Sequence, residues 1–445
     1  MDIKVFNSTG TITANSCMET KIPGIVNCKP SIAVLNDEEM LLFTCHPHYE
    51  EAAHGGPCQV WHSVMFSSHD GGKTWGGGKH MPFRGYEPSA SVIDGIIFVQ
   101  THLHPNMFNT NSSCIALLYR SDDAGKTWTE TEINPDFVGI CDKSQILCMA
   151  RNLIKLPDKS IIGFVWGNNG FQCRLKSDDA GKSWQADMVS DDIKRDKSRA
   201  LMCESVSFVT PSGRLMSIAR VDLSMITDER IPNLCKAEPF DTDEGDGILL
   251  IESKDNGLSW HAVRGLGYGA MMYPSIVYTD RNNFVLTYTQ RNARVYTPYQ
   301  HPGVQAVTGT ECEDGSFEID FDNNIMILDD KSPDEIQSSD GYGMTYMLGD
   351  GTLITPYCFA AVTEEYNKII KSGECYKSDD IYYNLYSRTG KADPEKGPDL
   401  DWWRNMSFEW KVVVIHECAS QLGLFHYESR VLKWKTDIRS DFILN

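Results

Sequence analysis

Six polar or ionisable residues occupy the same place in six similar stretches of the chain: Lys29, Glu87, Arg151, Glu204, Tyr273 and Tyr342. Each leads an apolar run, followed by a turn and a second apolar run. Positions that served only for packing would be apolar or small at most of these places. A ring of opposed charges with two phenols instead describes a polar site. The same charges could also pair with one another and only hold the stretches together. The ends of the second runs add His46, His102, Trp166, Arg220 and Arg291. Two guanidinium groups, two imidazoles and an indole suit a polar, anionic ligand, because the planar fork of arginine binds a carboxylate through two hydrogen bonds.

For these residues to meet, the elements that carry them must converge. The stretches open Lys29-Pro30-Ser31, Glu87-Pro88-Ser89, Arg151-Asn152-Leu153, Glu204-Ser205-Val206, Tyr273-Pro274-Ser275 and Tyr342-Gly343-Met344. Turns at Asn36-Asp37, Asp94-Gly95, Pro157-Asp158, Ser212-Gly213, Arg281–Asn283 and Asp350-Gly351 divide each into strand, hairpin and strand. The unit recurs roughly every 50–70 residues, the spacing of four-stranded propeller blades. The pattern predicts an all-β fold, a six-bladed β-propeller, as a single domain over residues 1–445. The termini are expected to complete the last blade. Residues 363–405 lack the motif and read as an insertion or a degenerate blade edge. In a propeller the innermost strands begin at the central channel, so the six lead residues form a ring there.

A second motif, S-x-D-x-G-x-[ST]-W, occurs four times, at Ser68–Trp75, Ser121–Trp128, Ser177–Trp184 and Ser253–Trp260. Asp bonds its own backbone and Gly accepts positive φ, so each copy reads as a tight hairpin turn. The Trp is expected to pack beside the next strand as an anchor. These copies speak for architecture and not for chemistry.

The chain is acidic, with a formal net charge of −20 and a pI near 5.0. That excludes nucleic acid and an anionic membrane as expected partners. An anionic ligand must be drawn by a local basic pocket acting at short range. The start Met1-Asp2-Ile3-Lys4 has no basic segment followed by an apolar stretch, and no run is long and apolar enough to span a membrane. The 14 Cys form no C-x-x-C pair and read as free, mostly buried thiols, which favours the cytoplasm. No cofactor is expected, and the sequence assigns no oligomeric state.

Repeated S-x-D-x-G-x-T-W boxes (Asp-boxes) on a six-bladed propeller resemble the sialidase superfamily. Glu204, in Cys203-Glu204-Ser205-Val206-Ser207, resembles the family segment that holds a catalytic Glu, with Arg220 as the Arg after the next strand. Tyr342, before a strand and a turn ending Asp350-Gly351, sits where the family keeps its nucleophilic Tyr. Arg291 resembles the third carboxylate-binding Arg, with Arg294 close by. The resemblance implies an exo-glycoside hydrolase acting on a small acidic saccharide, such as sialic acid, with retention. Tyr342 would be the nucleophile and Glu204 its base, because a phenol with a reference pKa of about 10 needs a base at neutral pH. Two departures stand out. The family's first Arg is replaced in Asn27-Cys28-Lys29-Pro30, where Lys29 offers a point charge and no fork. The family's acid/base Asp is absent from residues 46–57, where Glu50, Glu51, His48 or His54 could donate the proton. Lys29 and Arg151 would help hold the anion, and Glu87, Tyr273, His46, His102 and Trp166 would line the saccharide.

Two other readings compete. His46-x-His48 and His102-x-His104 place imidazole pairs on strand faces, which would suit a divalent metal and a lyase acting on a uronate. Alternatively the altered Arg and missing Asp describe a non-catalytic, glycan-binding propeller.

Overall fold

A computed structural model describes residues 17–23, 28–51, 57–103, 115–140, 146–234, 246–267, 269–290, 303–321, 325–327, 342–371, 378–390, 392, 395–405, 411, 414–415, 418–419 and 421–435. They form six sheets of four or five strands, antiparallel except where Ser190–Asp191 pairs parallel with Ser259–Leu266, the blades of a propeller. Blade one runs Cys28–Val34, Met40–Glu51, Pro57–Ser68 and Lys79–Arg84 from its innermost strand outward. Blade two follows with Tyr86–Ile93, Ile96–Leu103, Ile115–Ser121 and Thr129–Ile133. The innermost strands of blades three to six are Leu147–Met149, Val206–Val209, Met271–Tyr278 and Tyr346–Met347. Inner and second strands are therefore the hairpins read from the lead segments. In blade six the outer strand Cys17–Lys21 comes from the N-terminal end of the chain and pairs antiparallel with Phe425–Trp434.

The S-x-D-x-G-x-[ST]-W copies join the third and fourth strands of blades one to four. In each, one carboxylate oxygen of the Asp accepts two backbone amides and the Ser hydroxyl. In blade two these are Lys126 N at 3.0 Å, Thr127 N at 2.9 Å and Ser121 Oγ at 2.8 Å from Asp123 Oδ1. The expected packing of the Trp beside the next strand is met differently. Trp128, Trp184 and Trp260 lie edge-on against Phe43, Phe98 and Phe164, each from the second strand of the preceding blade. Gly125 shows why the motif keeps its glycine: φ is +83° and an added Cβ would meet Leu41 of blade one. Blade faces bury Leu, Ile, Val and Phe between neighbouring sheets, as in the cluster of Phe98, Leu118, Leu147, Val165 and Leu175.

The sequence reads one domain over residues 1–445, with 363–405 as an insertion or a degenerate blade edge. The chain separates into two compact units, the propeller and a smaller unit built mainly from Phe359–Glu428. The smaller unit contains helices Glu364–Lys371, Asp379–Arg388 and Leu400–Arg404. Its own core gathers Tyr366, Tyr382, Leu385, Trp403, Ile415 and Cys418. Tyr382 and Trp403 stack with centroids 4.4 Å apart. Ser378 and Asp399 accept backbone amides at helix starts, satisfying donors the helices leave free.

Candidate active site

Four of the six lead residues share an unusual backbone. Lys29, Glu87, Glu204 and Tyr273 hold φ of +50°, +55°, +44° and +51°. Residues with a Cβ rarely occupy this region, and each such residue stores of order 1–3 kcal/mol of strain. In blades one, two and five the strand register shifts between Cys28 and Ser31, Tyr86 and Ser89, and Met272 and Ser275. The X-Pro-Ser triplets are thus β-bulges, and a bulge re-aims its residue. Pro fits there because a bulge leaves one backbone donor without a ladder partner. The third residue then ties blade to blade: Ser31 Oγ accepts Ala90 N at 2.9 Å, and Ser275 Oγ accepts Thr345 N at 3.0 Å. In blade three the inner edge is broken instead, with Arg151 between Leu147–Met149 and Ile154–Lys155.

The bent residues meet in a buried cluster. The Lys29 ammonium pairs with Glu87. It lies 4.3 Å from the ring centroid of Tyr86, 5.2 Å from that of Tyr342 and 5.9 Å from that of Tyr273. The other Glu87 oxygen stands 3.7 Å from His102 Nε2. Tyr273 and Tyr342 meet edge to face with centroids 5.2 Å apart. Arg151 is fully buried, with its guanidinium carbon 5.5 Å and 5.2 Å from those two rings. It donates to the Pro274 carbonyl at 2.7 Å and to the Tyr342 carbonyl. Its terminal nitrogens are therefore spent on main chain, the work of a brace. Burial lowers the Arg151 pKa, and the charges of Tyr342 and Glu204 oppose that shift.

Glu204 accepts Arg220 Nη1 at 2.5 Å, while Arg220 Nε donates to Asp246 at 2.6 Å. A cavity of about 580 Å³ opens beside this triad, lined also by Trp166, Arg199 and Asp222. Burial holds the Tyr342 phenol well above its usual pKa, and the Glu204 charge pushes it the same way. Glu204 and Tyr342 lead blades two apart in chain order, and the Glu204 carboxylate is close enough for its charge to act on the phenol.

The described structure brings together Lys29, Glu87, Arg151, Tyr273, Tyr342 and His102, and sets Glu204 with Arg220 and Trp166. Arg291 lies outside the described residues, as do His54 and His104. His46, His48, Glu50 and Glu51 belong to the strand Met40–Glu51, but their side chains lie outside the description. Among the described residues no group of three or more His, Cys, Asp or Glu could hold a metal ion. Sequence reasoning missed Tyr86 and Asp246. Tyr86 directly precedes a lead residue. Asp246 begins a third strand and faces Asp222 in register, so attention to third strands would have found it.

The fold is similar to that of the intramolecular trans-sialidase from Ruminococcus gnavus, crystallised with oseltamivir carboxylate. The identity is 12% and the TM-score 0.50, over 74% of this chain and 89% of that one. It is also similar to the NanB sialidase from Streptococcus pneumoniae, at 12% identity and a TM-score of 0.51, over 79% of this chain and 66% of that one. At such identity the likeness speaks for the fold, which is the six-bladed propeller of sialidases. No curated protein sequence matches this one. Residues 26–286, more than half of the chain, match the BNR repeat-like domain, and the chain belongs to that family.

Proposed function

We propose that this chain is a sialidase-like exo-glycoside hydrolase acting with retention on a sugar that bears a carboxylate. The observation that carries the reading is the buried Tyr342 phenol, packed edge to face on Tyr273 beside the Lys29 ammonium and the Arg151 guanidinium, in a ring of strained residues. Tyr342 Oη attacks the anomeric carbon while Glu204 takes its proton. A neutral phenol approaches an anomeric centre next to a carboxylate without the repulsion a carboxylate nucleophile would meet. A residue of blade one, with Glu50 the first candidate, protonates the leaving oxygen and later activates water. Arg220, Arg291 and Lys29 hold the substrate carboxylate. For Arg220 this requires the substrate to displace part of its contact with Glu204 or Asp246.

The test is turnover of fluorogenic glycosides of sialic acid, its deaminated relative, Kdo and uronic acids, with Tyr342→Phe alongside. Wild-type turnover that survives EDTA and falls by about 10²–10⁴-fold in kcat in the variant, with little change in binding, supports the mechanism. A second reading, a glycan-binding propeller without turnover, draws on one observation: Arg220 is already held by two carboxylates. Saccharide binding by calorimetry with no turnover of any glycoside would favour it.

A further inference from the structure

We propose that Cys28 and Cys45 form an oxidisable dithiol, a modification site one residue from Lys29. The two residues face each other across the inner hairpin of blade one. Their sulfurs lie 3.2 Å apart. Each thiol also approaches the other residue's carbonyl, at 3.5 Å from Cys28 and 3.4 Å from Cys45. Facing Cα atoms on neighbouring antiparallel strands are about 4.5–5.5 Å apart, within the range a disulfide spans. Bonded sulfurs stand about 2.05 Å apart, so side-chain rotation has about 1 Å left to close. A third thiol, Cys358, accepts the Lys29 amide at 3.3 Å, and its charge acts on Cys28. Three sulfurs thus surround the bulge that turns Lys29 toward Glu87.

The reaction needs a two-electron oxidant, for which hydrogen peroxide serves. One thiolate attacks a peroxide oxygen, the O–O bond breaks, and the departing hydroxide leaves as water with a proton. The resulting sulfenic acid is attacked by the second thiolate, the S–S bond forms and a second water leaves. Two thiols and one peroxide become one disulfide and two waters. Burial holds the Cys28 thiol well above its usual pKa, so the first step is slow at neutral pH. The bond would tie the two strands at the bulge and fix the backbone from which Lys29 projects. This proposal does not depend on the hydrolase reading.

The experiment is a thiol map of the folded protein after peroxide, with alkylation under denaturing conditions. Digestion at acidic residues separates the pair, because Asp37, Glu38 and Glu39 lie between them. The expected product joins the Cys28 and Cys45 peptides in one species, lighter by about 2 Da than the two thiol peptides together and split by reduction. Cys148 and Cys173, which face Trp166 and Val165, should stay alkylatable. Cys45→Ala should abolish the linked species and leave Cys28 alkylated. Should that variant not fold, the wild type compared with the urea-unfolded chain decides, since the link should dominate only in the folded protein. Full alkylation of both Cys28 and Cys45 after treatment of the folded protein overturns the proposal. So does a link between these residues no more frequent than in the unfolded chain.

Discussion

Lys29 and Glu87 form a buried ion pair whose members rely on each other. Removing one leaves an unpaired charge in a site only 5% to 8% exposed, while removing both leaves none. Lys29→Met or Glu87→Met alone should cost about 3–5 kcal/mol, and the double variant markedly less than the sum. Urea midpoints of the four proteins check this. Tyr342 makes a second prediction. Its folded pKa is raised above the value of about 10 for an exposed phenol, by burial first and Glu204 next. The folded chain then keeps a proton that the unfolded chain releases. Stability is therefore full below pH about 10 and falls as pH rises beyond it. Urea midpoints between about pH 8 and about pH 11 should fall less steeply in Tyr342→Phe. At this scale the sequence disclosed which positions are polar but not how they pair. That Lys29 would choose Glu87, and Arg151 two carbonyls, depends on strands more than fifty residues apart, which no local pattern encodes.

Turns and bulges show the opposite balance. The hydrogen bonds of each S-x-D-x-G-x-[ST]-W turn lie within eight consecutive residues, so the turn is legible from the sequence. Where its Trp goes is not, because that depends on the preceding blade. Asp70 and Asp179 are held down to about 2, chiefly by the hydroxyls of Thr74 and Ser183 and the backbone amides of the same residues. Asp123 and Asp255 are also lowered. A carboxylate lowered in the folded state stabilises fully above pH about 4, and that contribution fades as pH falls toward about 2. Thermal midpoints across this range should decline less steeply in Asp179→Asn than in the wild type. Gly125→Ala joins a positive-φ penalty to a clash with Leu41, and a loss of about 1–3 kcal/mol is expected from denaturant unfolding.

Across the whole molecule, the propeller is closed by a strand from the far end of the chain. Glu19 of Cys17–Lys21 takes Tyr357 and Arg430, both of blade six, on its two oxygens. Glu19→Ala should lower stability by about 2 kcal/mol, read as an earlier urea midpoint. The repeat made the six blades legible, since each unit repeats the same hairpin. The helical unit escaped because its core residues, among them Tyr366, Tyr382, Leu385 and Trp403, lie in three short helices that share no repeated pattern. The four left-handed lead residues carry one more consequence. The same bend presents an ammonium, two carboxylates and a phenol, so the backbone selects the direction of the group and leaves its identity open. Positions 29, 87, 204 and 273 are thus sockets with a common mounting. A combinatorial library confined to them, with positions 29 and 87 varied as a pair, should change what the centre recognises while the blades around it keep their form.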